Sequence, residues 1–234
     1  MSDTTPEDQL VWSYFGRKTT GFFVEVGANH PTGGSQTWLL EQNGWRGILI
    51  EPQASHCRLL RERRKNSVVF QVACSAPDKI GETTLHIPAA PLNGFAAIEP
   101  NVDDLGVVYE RTEKVKVITL DQVLAEAGPA TIDLLSIDVE GVELDVLKGF
   151  ALDQYCPALI LMEDKCSSLD KHRYLTARAY KLVRRTGLNN WYVPRDARYR
   201  PPLADRVELF RKMYLGLPIR KFRRFRRMRS LSRG

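Results

Sequence analysis

The sequence predicts an α/β protein built on a doubly wound, mostly parallel β-sheet. Three observations lead to this class: the candidate strands are short and almost uninterrupted apolar runs, helical segments separate them, and turn residues mark the junctions. Strands of this kind are buried on both faces, because helices cover the two sides of a parallel sheet. The predicted core strands are 22–26, 47–50, 68–73, 132–137 and 158–162.

Helices and one antiparallel insertion complete the predicted order of elements. Ser35 is the expected N-cap of a helix that ends at Gly44. Residues 82–87 and 115–119 alternate apolar and polar side chains, which predicts an inserted β-hairpin. The loop between these strands carries Asn93-Gly94-Phe95, a candidate substrate lid. Further helices are predicted over 58–65, 120–127, 142–150, 169–185 and 203–217, and a last strand over 191–193.

Length and composition indicate a globular protein with a substantial core. The chain has 234 residues, of which 43% are hydrophobic and 26% are charged. We expect one main domain over 21–218, preceded by an N-terminal arm or short helix (1–20) and followed by a basic tail (219–234). The four cysteines have neither zinc-ligand nor redox spacing, and the first ten residues lack a secretory pattern, so we expect a cytoplasmic protein.

The net charge of +6 comes from the C-terminal end of the chain. Residues 220–234 contain eight of the 34 Lys and Arg residues and no acid, which leaves 26 basic against 28 acidic residues elsewhere. A protein that grips nucleic acid is expected to carry basic charge on its folded body, so we predict no dedicated nucleic-acid module. The tail is a candidate contact for an anionic membrane or polyanion, or a frayed end without a partner.

Acidic residues follow the predicted strands at the point where each strand ends. The carboxyl ends of parallel strands share one edge of the sheet, and doubly wound proteins bind their ligands there. The sequence therefore predicts a ligand site lined with carboxylates. The residues concerned are Glu25, Glu51, Asp138 with Glu140, and Glu163 with Asp164.

The turn after the first strand distinguishes between two kinds of nucleotide ligand. A dinucleotide site needs glycines spaced G-x-G-x-x-G so that a pyrophosphate can approach the backbone, but Asn29 stands two residues after Gly27. Glu25 would repel a pyrophosphate, and it suits a ligand that bears an amino or sulfonium group. Glu51 can accept hydrogen bonds from both hydroxyls of a ribose. The pattern therefore favours a cationic small molecule with an adenosine end.

Several strings of the sequence resemble the FkbM family of S-adenosylmethionine-dependent methyltransferases. They are VEVGAN (24–29), IEP (50–52), VITLDQVL (117–124) and IDVEGVELDVLKGF (137–150), and the similarity covers about residues 20–165. The resemblance implies a class I Rossmann-like methyltransferase fold and S-adenosyl-L-methionine as the methyl donor. It also implies an O-methyltransferase that acts on a hydroxyl of a sugar, glycan or polyketide-type small molecule. After Asn29 this chain departs from the short, glycine-rich turn of the family.

The resemblance further implies a role for each matching residue. These roles run along the cofactor from its methionine end to its adenine. They are Glu25, Gly27 and Asn29 at the methionine end, Ser35 at the start of the next helix, Glu51 at the ribose, Ala73 and Cys74 at the adenine, and Asp138 at the amino-acid part or the substrate hydroxyl.

Catalysis on an alcohol gains from a general base, typically by about 10²–10⁴-fold. Glu140 is the first candidate, because it lies in the turn after the fourth core strand and faces the expected cleft. Asp138 and His30 are the next candidates. Glu143 is a further one, although its charge also suits the first turn of the following helix.

Two alternatives stay open at this point. Asp138 with Glu163 or Asp164 could hold magnesium, but Asp164 could equally pair with Lys165, so we assign no metal to the site. The chain could also be a non-catalytic protein that keeps the cofactor fold and binds an anionic surface or nucleic acid through its arginine-rich tail. Cofactor binding separates an enzyme from such a protein.

Overall fold

The computed structural model describes residues 6–89, 96–98, 108–129, 131–165 and 168–216. Within these residues the strands are β1 (Phe22–Val26), β2 (Arg46–Ile50), β3 (Ser67–Phe70), β4 (Ala73–Cys74), β5 (Gly81–Pro88), β6 (Tyr109–Ile118), β7 (Leu134–Ile137), β8 (Leu159–Glu163), β9 (Tyr180–Thr186) and β10 (Asn189–Pro194). The α-helices are α1 (Pro6–Tyr14), α2 (Trp38–Gln42), α3 (Ala54–Arg63), α4 (Leu120–Ala127), α5 (Glu143–Lys148), α6 (Leu152–Tyr155), α7 (Asp170–Ala177) and α8 (Leu203–Leu209), and α8 continues into a π-helical segment (Phe210–Leu215).

Seven strands form one mixed sheet in the order β3-β2-β1-β7-β8-β10-β9. The first five strands of this order are parallel, and β10 is antiparallel to both of its neighbours. The chain moves outward from β1 to β3 and then returns to the other side of β1 with β7. The predicted α/β class with a doubly wound, mostly parallel sheet is therefore confirmed, and the strand order reverses between β1 and β7.

Helices cover both faces of this sheet. Alternate residues of a strand point to opposite faces, so Val24 and Ile48 pack on one side while Phe23 and Leu49 pack on the other. The first side is covered by α4, α5, α6 and α7, and the second by α1, α2 and α3. The ends of the central strands β1, β2, β7 and β8 are thereby held by apolar packing on both faces.

The N-terminal helix is part of this core. Val11 of α1 is fully buried, and the Tyr14 hydroxyl donates to the carbonyl oxygen of Ala158 at 2.9 Å. Residues 1–5 and the tail 219–234 lie outside the described residues. Among the described helices, each is too short or too polar to cross a membrane, and the cytoplasmic location stays a prediction.

The predicted inserted hairpin is present, as β5 and β6. These two strands pair antiparallel and form a second, three-stranded sheet with β4. The single strand predicted over 68–73 is divided, because β3 stays in the main sheet while β4 joins the small one. The candidate lid Asn93-Gly94-Phe95 lies outside the described residues.

The helix predicted over 169–185 is wrong. α7 ends at Ala177, and β9 follows it as the edge strand of the main sheet. Ala179 has a φ of +61°, a left-handed conformation that interrupts a helix. The apolar spacing over this segment also fits a half-buried strand, and pairing with β10 along the sheet edge decides between the two.

The helix predicted to begin after Ser35 is α2, which has only five residues. Its first residue is Trp38, so Ser35 is not its N-cap. The buried Ser35 hydroxyl instead donates to the carboxylate of Glu25, with 3.2 Å between Oγ and Oε2. The segment between β1 and α2 is thus organised by a side chain of β1.

Candidate active site

An open cleft lies at the carboxyl ends of β1, β2 and β7, where the strand order reverses. This is the place where doubly wound sheets bind their ligands. Glu25, Glu51 and Asp138, the acids predicted from three strand ends, all line this one cleft. The other predicted residues in its wall are Gly27, Asn29, His30, Ala73, Cys74 and Glu140, whereas Ser35 and Glu143 are not part of it.

Gly27 permits the close approach of β1 and β7. It has a φ of +85°, and a Cβ built on it would lie 1.8 Å from the carbonyl oxygen of Asp138. Its backbone N–H donates to the Ile50 carbonyl at 2.9 Å. Any side chain at this position would separate the turn from the end of β7, so the glycine shapes the floor of the cleft.

Glu51 is held rigidly by the backbone on either side of it. Its Oε2 accepts from the Asn29 N–H at 2.9 Å, and its Oε1 accepts from the Gln53 N–H at 2.8 Å. Burial raises the pKa of Glu51 to about 7, and the nearby Glu113 carboxylate adds to the rise. The Asn29 contact ties the turn after β1 to the turn after β2.

Glu25 is bonded by the segment that follows β1. Its carboxylate accepts from the Thr37 hydroxyl at 2.6 Å, the Gln36 N–H at 3.1 Å and the Ser35 hydroxyl. Burial raises the pKa of Glu25, although the Arg64 guanidinium and these hydrogen bonds oppose the rise. The carboxylate thus shapes the cleft by fixing residues 35–37, and its contact with a ligand stays a prediction.

Arg64 links this network to a second buried acid. Its side chain is fully buried, with Nε at 2.6 Å from the Glu41 carboxylate and Nη1 at 3.9 Å from that of Glu25. It also donates to the Thr37 hydroxyl at 2.7 Å and to the Pro31 carbonyl at 3.1 Å. One arginine therefore holds α2, α3 and the turn after β1 together.

Three carboxylates converge where β7 and β8 end, and we call Asp138, Glu140 and Glu163 the acidic edge. One oxygen from each lies within 4.8 Å of the others. Burial raises the pKa of Asp138 well above its ordinary value, and Glu163 and Glu140 raise it further. Burial, followed by repulsion from Glu140, raises the pKa of Glu163 to about 7. Lys165 pairs with Glu140 at 2.9 Å.

Glu143 and Asp164 are tied into the structure beside this edge. Glu143 Oε1 accepts from the Gly141 N–H at 2.8 Å, and its Oε2 lies 3.0 Å from Lys171 Nζ. Asp164 lies 3.3 Å from the same ammonium and accepts from Asn190 at 3.0 Å. Both acids are buried, so the structural role that the sequence allowed for Glu143 fits its contacts.

His30 lies in an exposed loop at the mouth of the cleft. Its Nδ1 accepts from the Gly33 N–H at 2.9 Å and from the Thr32 N–H at 3.3 Å. In the neutral ring this places the proton on Nε2 and leaves no free lone pair for a substrate proton. The geometry therefore favours the carboxylates of the acidic edge over His30 as proton acceptors.

Sequence reasoning missed several residues of the cleft wall. The amide oxygen of Gln53 is buried and has no hydrogen-bond partner among the residues that the structure describes. Its position two residues after Glu51, just past the end of β2, was the feature of the sequence that could have placed Gln53 in the cleft wall. Leu85 and Ile98 could not be foreseen, because the inserted hairpin brings them to the cleft from a distant part of the chain. The further missed residues are Gln36, His56 and Ser136.

The strand order and the cleft at its reversal point define the class I methyltransferase fold. Methyltransferase FkbM from Methylobacillus flagellatus has a similar structure, with a TM-score of 0.51 and 18% identity over 81% of this chain and 48% of that one. An O-methyltransferase from Bacillus cereus in complex with SAH is 15% identical over 82% of this chain and 83% of its own, with a TM-score of 0.45. The N-terminal domain of human METTL16, also in complex with SAH, is 12% identical over 81% and 70%, with a TM-score of 0.44.

The family follows from the sequence. The model of the Methyltransferase FkbM domain matches residues 25–186, which is more than half of the chain. The chain therefore belongs to the FkbM methyltransferase family, as its motifs predicted. It spans about half the length of the Methylobacillus flagellatus protein. No curated protein matches the sequence.

Proposed function

We propose that this chain is an S-adenosylmethionine-dependent O-methyltransferase that acts on a hydroxyl of a sugar, glycan or polyketide-type molecule. The observation that carries the proposal is that Glu51 and the acidic edge border opposite sides of the strand reversal, with Asp138 and Glu140 lining the same cleft as Glu51. One side is suited to a ribose and the other to an acceptor that must lose a proton.

The cofactor side of the cleft has the groups that an adenosine ligand needs. The Glu51 carboxylate is fixed by two backbone donors and can accept from ribose hydroxyls. The unpaired amide oxygen of Gln53 is a buried acceptor that a ligand donor would satisfy. Gly27 has no side chain where the methionine end is expected, and Ala73 and Cys74 form an apolar wall for the adenine.

At the side of the cleft where the acceptor would bind, the protein's own residues have three tasks in the reaction. S-adenosylmethionine supplies a methyl group that its sulfonium already activates. The protein then has to orient the acceptor, exclude water and receive the proton that the hydroxyl loses. We assign that last task to the acidic edge. The sugar or polyketide class of the acceptor rests on the family resemblance.

The experiment is methyl transfer from isotopically labelled S-adenosylmethionine to a panel of hydroxylated sugars, glycans and polyketides, with matched amines as competitors. Mass spectrometry of the products locates the label. We expect a stable methyl ether on at least one hydroxyl acceptor and its loss in Glu51→Gln. Methyl transfer to amines alone would contradict an O-directed reaction. Failure of the folded protein to bind S-adenosylmethionine would contradict its assignment as a methyltransferase.

A second candidate function is contact with an anionic surface, and α8 favours it. Leu203, Val207 and Phe210 are 72%, 60% and 58% exposed and share one helical stripe. This stripe precedes the basic tail in the sequence. Apolar side chains next to a basic segment suit binding at an anionic membrane surface. Such binding does not replace the catalytic function.

A further inference from the structure

The acidic edge brings together three carboxylates that belong to two adjacent strands. β7 and β8 are parallel, with Ile137 opposite Met162, so their ends lie side by side. Asp138 and Glu140 follow β7, and Glu163 is the last residue of β8. Their oxygens lie within 4.8 Å of one another. Glu163 is buried, whereas Asp138 and Glu140, which belong to the turn after β7, are partly exposed.

Glu163 sets this cluster apart from an ordinary group of surface acids. It is only 6% exposed. Within the described part of the chain, the ion pairs of the two nearest lysines are with Glu140, Glu143 and Asp164, and no hydrogen bond reaches the Glu163 carboxylate. A buried carboxylate without a partner is strongly unfavourable. Glu25, a buried acid of the neighbouring cleft, has hydrogen-bond donors and an arginine, so the two buried acids differ in the partners that the described residues provide.

Lys165 and Lys171 oppose the rise that burial causes in the pKa of Glu163, but their ion pairs are with other acids. Lys171 directs its ammonium to the Glu143 carboxylate at 3.0 Å, to the Asp164 carboxylate at 3.3 Å and to the backbone carbonyl oxygen of Glu163 at 3.0 Å. Lys165 lies against Glu140 at 2.9 Å. The carboxylate oxygens of Glu163 therefore face two other acids, and either a shared proton or a bound cation would relieve the repulsion between them.

We propose that Asp138, Glu140 and Glu163 bind a hard divalent cation such as Mg²⁺, Mn²⁺ or Ca²⁺. Ligands that are all oxygen favour these ions over zinc, for which nitrogen and sulfur ligands are usual. With metal–oxygen distances of about 2.1–2.5 Å, neighbouring ligand oxygens lie about 3–3.5 Å apart and opposite ones about 4–5 Å apart. The three oxygens of the cluster lie within 4.8 Å of one another, so small side-chain rotations bring all of them to one ion. Waters or an acceptor would complete the coordination, because Mg²⁺ rarely loses all of its waters.

The site has a role in the reaction that rests on the proposed function. Two of its ligands, Asp138 and Glu140, line the cleft, so the cation lies at the acceptor side. A bound cation lowers the pKa of an oxygen that coordinates to it. Each carboxylate of the acidic edge would hold the cation through one oxygen, and a second, uncoordinated carboxylate oxygen would receive the proton that the hydroxyl loses. Acceptors with two adjacent oxygens would bind best.

Binding of Mn²⁺ to the full chain tests the site without any methyl transfer. After treatment with a chelator, the protein is titrated with Mn²⁺, and the signal of free Mn²⁺ is followed by electron paramagnetic resonance with Mg²⁺ and Ca²⁺ as competitors. We expect one site per chain. Glu163→Gln and Asp138→Asn should each weaken Mn²⁺ binding at least about tenfold. Loss of a residue that only hydrogen-bonds to a metal ligand already costs about 10–100-fold in affinity, and loss of the ligand itself costs more.

Asp145→Asn is the matched control. Asp145 is an acid of the neighbouring helix α5, and it pairs with Lys79 and Lys148 at the surface. Its loss should leave Mn²⁺ affinity unchanged. Thermal unfolding provides a second measurement: Mn²⁺ should raise the melting temperature of the wild type, and metal-free Glu163→Gln should melt no lower than the metal-free wild type.

Absence of Mn²⁺ binding by the wild type at millimolar concentration, or equal binding by wild type and Glu163→Gln, would overturn the proposal. Mn²⁺ binding without any methyl transfer would support the metal site and contradict the proposed function. A protein that transfers methyl groups equally well with a chelator, and binds no Mn²⁺, would keep the function and remove the site.

Discussion

Replacing Glu51 with glutamine should weaken the binding of S-adenosylhomocysteine, the product form of the cofactor. The carboxylate is fixed by the Asn29 and Gln53 N–H groups at 2.9 and 2.8 Å, so it is oriented before the ligand arrives. A hydrogen bond from a ligand to a charged group contributes about 1.5–3 kcal/mol, and glutamine is neutral with a single acceptor oxygen. Loss of one such bond corresponds to about 10–150-fold in the dissociation constant.

The same carboxylate predicts a pH dependence of binding. Burial raises the pKa of Glu51 to about 7, and ribose hydroxyls donate best to its ionised form. S-adenosylhomocysteine should therefore bind most tightly above this pKa, and its affinity should fall as the pH drops through the pKa. Between about pH 8 and pH 6 the dissociation constant should rise about tenfold in the wild type. The dissociation constant of Glu51→Gln should not show this rise, because glutamine does not titrate.

Isothermal titration calorimetry of the full chain with S-adenosylhomocysteine measures both effects. Glu113→Gln is the matched control, because Glu113 raises the pKa of Glu51 without lining the cleft. That variant should keep its affinity near neutral pH, and its pH profile should shift to lower pH. Equal affinity of Glu51→Gln and wild type, or identical pH profiles for the two, would refute the assignment of Glu51 to the ribose.

Three further predictions concern stability and the tail. In urea unfolding, Gly27→Ala should lower the free energy of unfolding by more than about 3 kcal/mol, because the new Cβ would overlap the Asp138 carbonyl oxygen. Gly34→Ala is the matched control: Gly34 has a φ of +80° with open space around it, so this variant should lose only about 1 kcal/mol. Arg64→Met should lower it by about 3–5 kcal/mol in urea unfolding, since two buried carboxylates lose their cation. Deletion of 219–234 should reduce sedimentation with anionic vesicles and leave S-adenosylhomocysteine affinity unchanged; loss of cofactor binding on this deletion would show that the tail belongs to the site.

The strand-end acids could be predicted because their cause is local. An apolar run followed by an acid and then a glycine or proline marks both the strand and its end, and parallel strands bring these ends together. Glu25, Glu51 and Asp138 lie around one cleft for this reason. The family motifs covered the same segments, so the fold and the position of the cleft followed from short stretches of sequence.

Contacts between distant segments could not be predicted in this way. Arg64 reaches Glu25 across 39 positions of sequence, and no local pattern marks a buried arginine at the end of α3. The helix predicted over 169–185 failed because strand pairing with β10 outweighs an ambiguous apolar spacing. Within the described part of the chain, the ammonium groups of Lys165 and Lys171 pair with acids other than Glu163, and only the packed structure determines where they point.

The structure of the full chain crystallised with S-adenosylhomocysteine tests the central claim most directly. We expect the ribose hydroxyls within hydrogen-bonding distance of the Glu51 carboxylate, with the adenine beside Ala73 and Cys74. A ligand bound elsewhere, or one whose ribose faces away from Glu51, would contradict the account of this cleft.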